Sequence, residues 1–138
     1  MERIFETYRP NCFHTVNAYI FADHPRELIN FLQKAFFAIE INRTIDPTNN
    51  EITNCILKIG DSAFMIGRAR GDFKNMRAAF YLFVNDVDFV YQNALEHGAI
   101  DCLSPTNMDY DDRQAGVQDS AGNYWWISKR LVEKDYAS

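Results

Sequence analysis

The side chains able to do chemistry are few and scattered along the chain. Cys12 and His14 stand two residues apart, the spacing of half a metal site, but no second Cys or His pair follows at the distance a zinc module uses. His24 precedes Pro25 and reads as a helix-capping residue; His97 falls at the end of a helical pattern, where it favours the helix dipole. Asp109, Asp111 and Asp112 surround Tyr110 in an acidic loop. That loop lacks the full ligand spacing and closing glutamate of a calcium loop, so it reads as solvated. Arg113 follows directly. Its planar guanidinium suits bidentate capture of a ligand carboxylate or phosphate, and equally a structural pair with Asp119 or a neighbouring acid. No Ser-His-Asp or Cys-His arrangement can be assembled, and no glycine-rich phosphate loop is present. What remains is aromatic. Eleven Phe, seven Tyr and two Trp make up 14% of the chain, which fits either a phenylalanine-rich core or an aromatic-lined cavity.

Composition narrows the classes of partner. The net charge is −5 with no basic run, which argues against nucleic acid. No apolar run of about 20 residues suggests a membrane span, and the first residues lack the apolar core of a secretory signal. Cys12, Cys55 and Cys102 are odd in number and far apart, which fits reduced thiols in a cytoplasm. A chain of 138 residues, 47% of them hydrophobic, suits a single domain with a substantial core.

The elements that must position these groups follow from period and punctuation. Residues 1–13 show no period and read as an arm able to pack on a neighbour. Residues 14–22 read as a strand, and 25–36 as a helix opened by Pro25 and capped by Asp23 or His24. Strands are expected at 38–45, 52–59 and 62–66, and a polar linker at 68–76. The pattern then restarts: a strand at 78–85, a helix capped by Asp86 and stopped at Gly98, a short strand at 100–103, a loop at 104–110, and strands at 114–118 and 124–128. Residues 131–138 read as a frayed tail. Gly60-Asp61 and Gly122-Asn123 each suit a two-residue hairpin turn, since glycine and asparagine tolerate positive φ.

A fixed offset of 62 residues superimposes Tyr81 on Tyr19, Phe83 on Phe21, Val90 on Leu28 and Gly122 on Gly60 (81 − 19 = 62). That register argues for a duplicated βαβββ unit, with modules at about 14–67 and 77–130. The expected fold class is α+β: two paired βαβββ modules whose sheets form a curved mixed sheet around a cup-shaped cavity. Tyr19 and Tyr81 read as core residues at symmetric positions.

Several stretches resemble the glyoxalase/bleomycin resistance/dioxygenase (vicinal oxygen chelate) superfamily, with the flavour of its PhnB-like branch. They are Thr15-Val16-Asn17-Ala18-Tyr19-Ile20, Leu57-Lys58-Ile59-Gly60-Asp61-Ser62 and Phe83-Val84-Asn85-Asp86-Val87-Asp88. The most specific is the run from Asp112 through Ala115-Gly116-Val117 and Asp119 to Gly122-Asn123-Tyr124-Trp125. The resemblance implies a homodimer of paired modules. In metal-dependent members, His, Gln or Glu side chains stand at four inward positions, which correspond here to Asn17, Phe64, Ala79 and Trp126. A one-residue ambiguity in the first hairpin leaves Met65 as the alternative to Phe64. Phe, Ala and Trp cannot ligate a divalent ion, so the expectation leans away from an enzyme and towards the metal-free binding of bleomycin resistance proteins. Trp126, Phe64 and Tyr110 would then offer ring faces to a small hydrophobic or aromatic ligand, with no cofactor. Only one of Trp125 and Trp126 should face the cup, and register favours Trp126. The alternative is a metal-dependent lyase, isomerase or dioxygenase with displaced ligands such as His14 or Asp109, needing a divalent metal.

Overall fold

A computed structural model describes residues 2–137. The first module runs β1 (Tyr19–Ala22), α1 (Pro25–Phe36), β2 (Ile39–Ile45), β3 (Ile52–Ile59) and β4 (Ser62–Arg68). The second runs β5 (Ala79–Phe83), α2 (Val87–Glu96), β6 (Ile100–Asn107), β7 (Asp112–Gln118) and β8 (Tyr124–Arg130). Each module is a four-stranded sheet, ordered β1-β4-β3-β2 and β5-β8-β7-β6, with the first and last strands of the module parallel. The α+β, two-module architecture expected from the repeat is therefore present.

Alternation in the strands assigns each sheet one helix-covered face and one open face. Ile20 and Ala22, Cys55 and Leu57, Phe64 and Ile66, Ala115 and Val117, and Trp125 and Ile127 point to the helices and are buried. Helix α1 adds Leu28, Ile29, Leu32, Ala35 and Phe36 from one stripe. Each large aliphatic side chain so buried contributes about 1.5–3 kcal/mol. The two modules share this core. The Phe36 and Trp125 rings lie 4.9 Å apart, and Asn93 on α2 donates to the α1 carbonyls of Lys34 and Ala35 at 2.8 and 3.1 Å.

The ends of elements depart from the sequence reading in explicable ways. Strand β1 begins only at Tyr19, because the Asn17 side chain folds the preceding residues onto His14. Neither Asp23 nor His24 is seen capping α1 through its side chain, whereas Asp86 accepts from the Phe89 N–H at 3.1 Å and caps α2. Strand β6 continues through Pro105, which an edge strand tolerates at an irregularity in its pairing. The β7–β8 connection is five residues long, 119–123, instead of two. Asp119 fills it, accepting from the N–H groups of Ala121 and Asn123 at 2.9 Å each and from the Trp125 indole at 2.8 Å.

The two chain ends also differ from expectation. The arm lies on its own module's open face, where the Cys12 carbonyl accepts from the Ala63 N–H at 2.9 Å. Residues 131–136 do not fray: the Leu131 N–H donates to the Asp111 carbonyl at 2.8 Å, and the Tyr136 hydroxyl donates to Asp112 at 2.6 Å.

Candidate binding site

The open faces carry the groups of interest. On the first sheet the Tyr19 ring lies across β4, where a Cβ on Gly67 would come within 2.7 Å of it, and its hydroxyl accepts from Asn54 on β3 at 2.9 Å. Phe21 and then Phe73 continue a stack from Tyr19, with ring centroids 4.7 and 4.8 Å apart. On the second sheet Trp126 lies across β7. A Cβ on Gly116 would stand 2.3 Å from its ring, so only glycine lets the indole lie flat. Tyr81, its ladder partner, reaches over to the Asp112 carboxylate. Tyr19 and Tyr81 are thus half-exposed floor residues, at 47% and 43%, and not the core residues expected from sequence.

Of the candidate positions, Asn17, Met65, Ala79 and Trp126 belong to this open side. Met65 is the ladder partner of Tyr19, as Trp126 is of Tyr81. Phe64 points the other way, into the core, although its ring also lines a cleft between the modules with Phe80 and Trp125. The reason is a slip in the repeat. Tyr19 and Tyr81 are 62 apart, but Met65 and Trp126 are 61 apart (126 − 65 = 61): the second module is two residues shorter between β5 and β7, and its longer hairpin restores only one of them. A one-residue slip exchanges the faces of a strand. Trp125 is correspondingly the equivalent of Phe64, buried and stacked on Phe80 at 4.4 Å.

Arg113 faces the helix side. It forks onto Asp88 at the start of α2, with bonds of 2.8 and 3.0 Å, and donates to Asn107 at 3.0 Å. This is the structural pair among the two readings left open by the sequence, with Asp88 as the acid instead of Asp119. The Arg113 guanidinium holds the Asp88 carboxyl below the usual range. Tyr110 stands beside the second sheet's open face and donates to Gln114.

Asp112 escaped the sequence reading, which placed it in a solvated loop. It is fully buried on the open side of β7, accepting from Arg130 at 2.9 Å, from Tyr136 at 2.6 Å and from Tyr81. Burial pushes its carboxyl up, but the hydrogen bonds from Tyr136, Tyr81 and Arg130 outweigh that, and the net shift is downward. Burial first, then the Asp112 bond, raises the Tyr81 phenol. The signal for Asp112 was available as parity: it shares the face of Gly116 and Trp126. Nothing in the tail's sequence marked Tyr136.

Two cavities open on these faces. One of about 580 Å³ lies between the arm and the first sheet, walled by Ile39, Ile41, Ile56 and Met65, with Cys12 and His14 on the arm side. The other, about 400 Å³, is walled by Tyr81, Phe83, Tyr110 and Tyr136. Both fall in the range of small-molecule sites. The donor set at the four positions to which the resemblance points does not fit a divalent metal. A thioether, a methyl group and an indole offer no hard ligand, and the Asn17 amide is already bonded to the His14 backbone at 2.8 and 2.7 Å. Among the described residues no three His, Cys, Asp or Glu side chains converge as a metal site requires, so no step through a metal is derived.

No family model and no curated protein matches the sequence. Solved structures do. TioX from Micromonospora sp. ML1 aligns with a TM-score of 0.72 at 19% identity, over 84% of this chain and 98% of its own. A glyoxalase/bleomycin resistance protein/dioxygenase family enzyme from Burkholderia phytofirmans PsJN aligns at 0.63 and 19%, over 83% and 97%. Lactoylglutathione lyase from Agrobacterium tumefaciens aligns at 0.66 and 12%, over 87% and 96%. The chain has the two-module fold of the glyoxalase/bleomycin resistance/dioxygenase superfamily.

Proposed function

We propose that the protein is a metal-free binder of a small hydrophobic or aromatic molecule, held on the open face in the manner of the superfamily's bleomycin resistance proteins. The observation that carries this reading is the pairing of ligand-sized cavities of about 580 and 400 Å³, walled by rings and aliphatic groups, with open faces on which Asn17, Met65, Ala79 and Trp126 offer no ligating set. Flat, half-exposed rings such as Tyr19 and Trp126 offer large stacking surface with little rotamer entropy to lose. The same exposure supports a homodimer: Ile39, Ile41, Tyr81 and Phe83 are all exposed in a single chain, and a second copy would close the open faces into a cup. The motif resemblance supports the PhnB-like branch, and the widely spaced free cysteines support a cytoplasmic setting.

The test is a titration of wild type and Trp126→Ala with a panel of planar aromatic compounds, followed through the tryptophan indole resonances. Saturable binding that is unaffected by a chelator and about fivefold weaker in Trp126→Ala is expected, since one stacking ring contributes on the order of 1 kcal/mol. Absence of saturable binding across the panel, or binding that disappears on chelation, contradicts the proposal.

A further inference from the structure

The second cavity is walled by aromatic rings, and behind two of them, Tyr81 and Tyr136, lies the buried Asp112 carboxylate to which both hydroxyls donate. The Tyr136 hydroxyl donates to Asp112 at 2.6 Å, from a tail residue that is otherwise 58% exposed. Its ring lies 4.4 Å beneath the Arg130 guanidinium. The tail returns to this point because Arg130 also binds the Lys134 carbonyl at 3.2 and 3.1 Å. Tyr81, Phe83 and Tyr110 complete the walls.

We infer that Tyr136 is a tethered stand-in for ligand, and that this half of the open face takes a neutral hydroxyaromatic molecule whose hydroxyl donates to Asp112. The inference rests on the binding-site reading above and names its ligand class. Three features select the chemistry. Asp112 accepts and cannot donate while ionised, so the ligand must bring a proton. Arg130 already balances the Asp112 charge at 2.9 Å, so a neutral donor fits better than an ammonium group, and an anion has no proton to offer the carboxylate oxygens. The walls are rings, which favour a flat apolar body behind the hydroxyl. A ligand must displace the tail, whose tether gives its phenol an effective concentration on the order of millimolar. The tail thus sets an affinity threshold.

The probe is p-cresol, the side-chain analogue of tyrosine, titrated into full-length protein and followed by two-dimensional amide NMR at residues lining the cavity. Tyr136→Ala should bind p-cresol about tenfold more tightly than wild type, and toluene should bind that variant about tenfold more weakly than p-cresol, the loss of one hydrogen bond to a charged acceptor. Tyr136→Phe keeps the ring against Arg130 and should fall between wild type and Tyr136→Ala, which carries the comparison if the alanine variant is poorly folded. Equal p-cresol affinity in wild type and both variants overturns the inference. So does binding of toluene or tetramethylammonium as tight as p-cresol. Either result, obtained while aromatic binding remains sensitive to Trp126→Ala, removes the hydroxyaromatic assignment and leaves the wider binding reading standing.

Discussion

Trp126 lies flat on its sheet because residue 116 has no side chain. Gly116→Ala would set a Cβ 2.3 Å from the indole, so the ring must swing off the face. The expected cost is about 1 kcal/mol, at the low end for overpacking because the half-exposed ring can move outward. Urea unfolding measures that cost, and near-ultraviolet circular dichroism reports the displaced indole. An unchanged indole signal would contradict the packing described. Cysteines give a second check at this scale. Cys55 is fully buried and its thiol is pushed up to about 11, chiefly by burial, whereas Cys102 is exposed. Iodoacetamide should modify Cys102 in the native protein and Cys55 only after unfolding, as counted by mass spectrometry.

At the scale of elements, the β7–β8 hairpin shows how far the sequence could be read. Its existence, its glycine and its tryptophans were legible; alternation allows only one of the two indoles on the open face, and that one is Trp126. Its length was not. Gly122-Asn123 looks like a two-residue turn, but a buried aspartate seven residues past Asp112 makes a longer connection worthwhile by collecting the loop's donors. Asp119 accepts from Ala121, from Asn123 and from the Trp125 indole, and Asn123 in turn accepts from the Ala78 N–H at 2.9 Å at the entry to β5. By register the longer hairpin restores only one of the two residues that the second module lacks between β5 and β7, and that slip put Phe64 ahead of Met65 among the expected floor residues. Asp119→Ala leaves several buried donors without an acceptor, so a loss of about 3 kcal/mol or more is expected in urea unfolding. A loss under about 0.5 kcal/mol, the level of an ordinary surface substitution, would contradict the role given to this side chain.

At the scale of the whole molecule, each module's open face has its own cover: the arm over the first sheet and the tail over the second. Neither was legible, because these segments have no hydrophobic period and act through a few specific bonds. The tail has a titratable anchor, since the Tyr136 hydroxyl donates to Asp112. The folded Asp112 carboxyl sits below its ordinary value, so its contribution is present above the unfolded value of about 3.9 and is lost as pH falls through the lower folded value. Acid titration below about pH 4 should therefore free residues 131–136 before the core unfolds. Tyr136→Phe removes one of the bonds that lower Asp112 and should move that release to higher pH. Tail amide exchange measured against pH checks both statements.

The central claim is that the open face binds an organic molecule without a metal. Native mass spectrometry of freshly purified protein tests it most directly, since one spectrum reports bound metal, retained ligand and oligomeric state. The account predicts a homodimer that takes up an added aromatic ligand in a saturable way, with no stoichiometric divalent ion after exposure to a metal mixture. Tight retention of one divalent ion per site, with an activity lost on chelation, would contradict it.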